Sequence, residues 1–173
     1  MTIRVVLIGM MGSGKTTVGR LLAERTGWPF HDNDALLERA TGMSARDLLV
    51  TRGEKALHEL EGEALQIGLA KPPPLVVSAA AGTILDPEIG GRLRDAAVIW
   101  LRAGTEVLAQ RIGGAEALPW RRGDREAWLV QTLSEREPLF REVASLVVDT
   151  DGRTADEVTD EILTWLRSLP AYH

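Results

Sequence analysis

No cysteine occurs anywhere in the 173 residues, which excludes a disulfide framework, a thiolate nucleophile and any cysteine-ligated metal centre. Positive charge is also short: the formal net charge is −5, which gives no general pull toward nucleic acid or anionic membranes. The one basic cluster, Arg121, Arg122 and Arg125, is brief, so no nucleic-acid partner is expected. No apolar run approaches the roughly 20 residues that a membrane span requires. The first apolar stretch carries Arg4 and leads straight into Gly9, unlike a secretory signal. With no heptad and no apolar surface stripe, the expectation is a cytoplasmic monomer that touches no membrane. The length suits one domain able to bury roughly 70% of its unfolded surface.

Against only three lysines, the position of one of them is informative. Lys15 closes the pattern G-x-x-x-x-G-K-S/T, with Gly9, Gly12, Ser13, Gly14, Lys15, Thr16 and then Thr17. This is the phosphate-binding P-loop motif, and its setting is the required one. Residues 2–8 read as a buried strand, and 16–26 as a helix with Val18, Leu21 and Leu22 at helical spacing. Glycines leave successive N–H groups free to cradle phosphate oxygens, and the helix start adds partial positive charge. Lys15 then reaches the β- and γ-phosphates of ATP, and the Thr16 hydroxyl is placed for Mg²⁺.

Further strands are expected over 28–31, 75–78, 97–101 and 146–149. Helices are expected over 34–40, 44–49 (with Ser44 as N-cap), 54–69, 87–94, 105–112, 126–140 with a break at Pro138, and 155–169. Strands alternating with helices argue for an α/β fold: a parallel sheet with helices on both faces. The segment from about 113 to 125 stands apart. It holds three glycines, Pro119 and the arginine cluster, without apolar periodicity. It reads either as a plain surface loop or as a lid closing arginines over phosphates and excluding water.

P-loop proteins commonly carry an acid at a strand end to hold Mg²⁺ through water. Asp149, after Leu146, Val147 and Val148, has the better apolar run. Asp32 has the shorter one but opens the triplet Asp32, Asn33, Asp34. Two acids at that spacing suit two tasks, Asp32 toward metal and Asp34 toward an acceptor hydroxyl, while Asp34 also suits a helix cap. The pattern itself does not rank the two strands.

Taken in order, several segments resemble shikimate kinases over nearly the whole chain. These are 9–17, Asp32-x-Asp34, Thr41 to Ser44, Gly53-Glu54, Ser78 to Gly82, Arg111-x-Gly113-Gly114, Arg136-x-Pro138-Leu139-Phe140 and Val148 to Thr150. The resemblance implies a P-loop kinase fold with five parallel strands in order 2-3-1-4-5, an acceptor-binding subdomain over about 33–62 and a lid over about 113–125. It implies that Asp32 serves Mg²⁺ and that Asp34 orients the acceptor hydroxyl. Arg111 and the Arg153 region would flank adenine, and Arg136 would hold an acceptor carboxylate. It further implies a place in aromatic amino acid biosynthesis.

Three departures fall on the acceptor and lid side. His58 stands where the pattern Gly-Glu-x-x-Phe-Arg ends in arginine, and an imidazole lacks the planar donor fork of a guanidinium. Ala80 and Ala81 precede Gly82 where the family has three glycines, and each added methyl narrows the turn. Leu118 replaces the arginine of the lid's Arg-Pro pair, leaving Arg121 or Arg122 to supply that charge. The leading expectation is transfer of the γ-phosphoryl of ATP to a hydroxyl of shikimate or a similar metabolite. The alternatives are a cyclitol or sugar acceptor, or a catalytically silent ATP-binding module.

Overall fold

The computed structural model describes residues 2–112 and 125–172. Arg121, Arg122 and the rest of 113–124, where the lid is expected, lie outside the described residues. Five strands make one sheet: β1 (Arg4–Ile8), β2 (Phe30–Asp32), β3 (Leu75–Ser78), β4 (Ala97–Arg102) and β5 (Leu146–Asp149). They run parallel in the order β2-β3-β1-β4-β5, as expected.

Continuous apolar strands signal a sheet covered on both faces, and the pleat sorts their side chains between two cores. Val5 and Leu7 of β1 join Val76, Ile99, Leu101 and Val148 on one face. There they pack under α1 (Lys15–Thr26) and α8 (Ala155–Arg167). Val6 and Ile8 join Val77, Val98 and Trp100 on the other face. That face is covered by α6 (Thr105–Ile112) and α7 (Arg125–Val143). A third, smaller core holds α2 (Asn33–Thr41), α3 (Ala45–Arg52) and α4 (Glu54–Leu69) together through Leu36, Leu37, Leu48, Leu49, Leu57 and Ala64.

Two expectations are corrected. Pro138 does not break α7, which runs through it to Val143. The hydrogen bond that proline forfeits is outweighed by burial of Leu129 and Phe140, the latter stacked on Trp100 at 5.6 Å between centroids. The helix expected over 87–94 shrinks to α5 (Ile89–Arg92), since Gly90 and Gly91 propagate a helix poorly. Ser44 does cap α3, its Oγ accepting from the Asp47 N–H at 3.1 Å. No helix among the described residues is long and apolar enough to cross a membrane.

Candidate active site

In a parallel sheet the carboxyl ends of the strands all open on one edge, and ligands collect where the connections diverge to either side. Here β1 has β3 on one flank and β4 on the other. The loops leaving β1, β2 and β3 line a single cleft of about 380 Å³.

The loop after β1 turns through Gly9, Gly12 and Gly14, all at positive φ. At Gly9 the need is steric as well, since a Cβ would come within 2.6 Å of the Leu101 carbonyl oxygen and 2.8 Å of Ser13 Oγ. Lys15, at the start of α1, donates to the Gly9 and Met10 carbonyls, both at 2.9 Å. Burial pulls its ammonium down to about 8, against the opposing fields of Asp34, Asp32 and Glu61. Thr17, in the same first turn of α1, is exposed at the cleft rim.

At the end of β2, Asp32 has two partners. One oxygen accepts from Asp34 N–H at 3.2 Å, making Asp32, not Asp34, the cap of α2. The other accepts from the Thr16 hydroxyl at 2.9 Å. A carboxylate and a hydroxyl side by side beside the phosphate loop are hard oxygen donors of the kind Mg²⁺ takes, and they fit such an ion. No group of three or more metal-ligating side chains occurs among the described residues. That suits an ion held by one carboxylate, a hydroxyl, water and substrate phosphates. Asp149, the rival candidate, is drawn to Arg102 Nε at 2.6 Å on the β4–β5 side and is not part of the cleft.

Capping by Asp32 frees the Asp34 carboxylate to face the cleft, where surrounding protein and then Asp32 hold it above the ordinary carboxylate range. Across from it, α7 contributes Arg136. This residue is buried, and its guanidinium donates to the Ala81 carbonyl at 3.2 Å. Ala80, Ala81 and Gly82, following β3, form the wall between α4 and α7. His58, on α4, lines the same wall, with its Nε2 4.0 Å from Glu54. At Gly82 a Cβ would stand 2.7 Å from His58 Nε2 and 2.9 Å from Glu61 Oε2. The turn therefore passes directly under both side chains.

Two arginines expected near adenine lie outside this cleft lining. Arg111 reaches the Gly12 carbonyl at 3.2 Å and the Thr150 hydroxyl at 3.4 Å, bridging the phosphate loop to the segment after β5. Arg153 is turned onto α8, donating to the Asp149 and Glu157 carbonyls and pairing with Glu161 at 2.6 Å.

Sequence reasoning missed Glu61, which lines the cleft. Glu61 was detectable. The buried stripe of α4 runs Leu57, Glu61, Ala64, Leu65 and Gly68, so an acid interrupts an otherwise apolar helical face.

A family model described as shikimate kinase matches residues 11–167. The shikimate kinase of Thermobifida fusca is 39% identical over 166 residues, covering 96% of this chain and 94% of that protein. The shikimate kinase of Synechococcus sp. strain CC9605 is 39% identical, covering 94% of this chain and 82% of that protein. Among solved structures, the shikimate kinase from Acinetobacter baumannii in complex with shikimate superposes with a TM-score of 0.91 at 30% identity. That match covers 97% of this chain and 94% of the other.

Proposed function

The chain belongs to the shikimate kinase family, and from that premise we propose that it transfers the γ-phosphoryl group of ATP to a hydroxyl of shikimate. It is an ATP-dependent phosphotransferase acting on an alcohol. The observation that carries the choice of acceptor is one cleft in which Asp34 and Arg136 stand with Lys15 at the phosphate loop. Asp34 is the hydroxyl-orienting group and Arg136 the carboxylate-holding one. The solved relative bound to shikimate supports shikimate as the acceptor.

In this reading the loop amides and Lys15 hold the β- and γ-phosphates, and Thr16 with Asp32 would hold Mg²⁺, whose charge would offset that of the transferred group. Asp34 accepts a hydrogen bond from the acceptor hydroxyl and takes its proton as the oxygen attacks the γ-phosphorus and ADP leaves. Positioning and preorganised charge supply most of the rate. Arg111, and the region of Arg153, border the adenine side. The separate core of α2, α3 and α4 supports reading about 33–62 as the acceptor-binding part of a single kinase domain spanning 1–173. Arg121 and Arg122 are assigned to its lid over about 113–125, and the active unit to a monomer.

A cyclitol or sugar acceptor is the second reading. It is favoured by His58 standing directly over Gly82 in the wall beside Arg136 and by the methyl groups of Ala80 and Ala81. Release of ADP from the purified protein with Mg·ATP, with and without shikimate, decides between them. Shikimate-dependent release, absent in Lys15→Met, is the expected result. ATP binding without stimulation by shikimate, but with stimulation by a cyclitol or sugar, would establish the second reading.

A further inference from the structure

Among the described residues, Glu61 is the one carboxylate of the cleft set into a buried helical stripe. It is 7% exposed, and its Oε2 is enclosed with no hydrogen-bond partner. Its neighbour Asn33 serves only the Glu61 backbone, through Nδ2 to the carbonyl at 3.2 Å, and leaves its own buried Oδ1 unpartnered. A buried ionised carboxylate without a paired donor is far costlier than the neutral acid.

The charged groups facing it, element by element among the described residues, offset only part of that cost. Lys15 at the start of α1 directs its ammonium to the Gly9 and Met10 carbonyls. From α2 comes Asp34, a second negative charge. On α4 itself are Glu54 and His58, one turn or two before it. From α7 comes Arg136, whose guanidinium donates to Ala81 and is shared among the fields of Glu54, Glu61 and Glu135. The turn Ala81–Leu85 brings no charge. Among the described residues, the cleft lining carries Asp32, Asp34, Glu54 and Glu61 against Lys15 and Arg136. Any acceptor bearing a carboxylate adds a further negative charge beside Glu61.

We propose that Glu61 is a proton-carrying positioning residue: its carboxyl takes up a proton near neutral pH, and a carboxylate-bearing acceptor binds together with that proton. This rests on the reading that the acceptor is anionic. The direction of its titration agrees, since burial and then Asp34 push the carboxyl up to about 7 against Arg136 and Lys15. An incoming carboxylate raises it further. Acceptor affinity then falls as the pH rises past neutrality, by about tenfold for each unit by which the bound acceptor raises the carboxyl.

The proton is read first on the ligand-free, metal-free protein, from carboxyl-carbon NMR of glutamate-labelled material. The Glu61 signal is identified by its loss in Glu61→Gln. A midpoint near 7 supports the proposal, and a midpoint in the ordinary glutamate range near 4.3 overturns it. This measurement needs no acceptor, so it stands even where shikimate fails to bind, an outcome that would sink the acceptor reading instead.

The linkage is read second, by calorimetric titration of the wild-type protein with shikimate at pH 6–8.5 in buffers of differing ionisation heat. Proton uptake near neutrality, with affinity falling about tenfold toward the alkaline end, supports the proposal, whereas a flat profile without uptake overturns it. This arm needs no variant, so it also covers the case where Glu61→Gln does not fold. His58→Gln keeps the slope if Glu61 carries the proton, and loses it if the imidazole does.

Discussion

If burial keeps Glu61 protonated, replacing it by glutamine should change how the stability of the whole fold depends on pH, apart from any effect on turnover. The native carboxyl is raised from 4.5 to about 7. Between those values the folded protein binds more protons than the unfolded chain, so this group's stabilisation is fully present below 4.5 and is lost as the pH rises through 7. At about 1.36 kcal/mol per unit, the shift is worth about 3 kcal/mol. Most of that, about 2 to 3 kcal/mol, disappears between pH 5 and pH 8. Glutamine does not titrate, so Glu61→Gln should gain that much on wild type over the interval. Its own fit in the pocket adds a constant that cancels between the two pH values. Urea unfolding of both proteins at a series of pH values measures the difference directly. Parallel curves, within a few tenths of a kcal/mol, would refute the claim that the fold raises the Glu61 carboxyl toward neutrality.

Arg136→Ala should raise the KM for shikimate about 10- to 150-fold, the loss of one charged hydrogen-bonding contact, while the KM for ATP stays close to wild type. An equal rise for ATP would place the guanidinium on the wrong substrate. Asp32→Asn should raise the Mg²⁺ concentration for half-maximal turnover about tenfold or more, as loss of a water-mediated metal contact does. Asp149→Asn should leave it unchanged, and the reverse pattern would reinstate β5 as the metal strand. Gly19→Ala should cost about 1–3 kcal/mol. A Cβ on that buried face of α1 falls 2.8 Å from Phe30 Cζ and closer still to the neighbouring ring carbon. A variant as stable as wild type in thermal melts would show that β2 shifts freely against α1.

How much of this could be read from the chain depends on how far apart in sequence the cooperating residues lie. The phosphate loop is local: its glycines, Lys15 and Thr16 act through backbone geometry fixed within one strand–turn–helix, so the spacing carries the chemistry. The parallel sheet was legible for a similar reason, since 4–8, 75–78, 97–102 and 146–149 are runs of apolar residues and the stretches between them have helical periodicity. β2 was the weak case, only three residues long and without a fully buried position. Its importance lies in Asp32, and residue pattern by itself did not prefer it to Asp149. What separates the two is the sheet order, which sets β2 beside β3, on the flank of β1 away from β5, and the hydrogen bond from Thr16.

The acceptor side assembles differently. Asp34, His58 with Glu61, the turn 80–82 and Arg136 come from four separate parts of the chain and meet only in the folded state. Residue type there says little until the neighbours are known. Gly82 illustrates the point, because its backbone is ordinary and its constraint is the space beneath His58 and Glu61. A methyl group at Gly82 would press on both side chains, whereas those at Ala80 and Ala81 only line the wall. The one strict glycine of that turn is thus fixed by α4, more than twenty residues earlier in the chain. It follows that a larger residue at 82 must displace the ends of the His58 and Glu61 side chains or be matched by a smaller residue at 58. Gly82→Ala should accordingly weaken acceptor binding in the wild-type background and recover part of it when combined with His58→Ala. Shikimate titration of the two single variants and the double variant checks this coupling. Strictly additive losses would show that the turn and α4 do not share the space assigned to them.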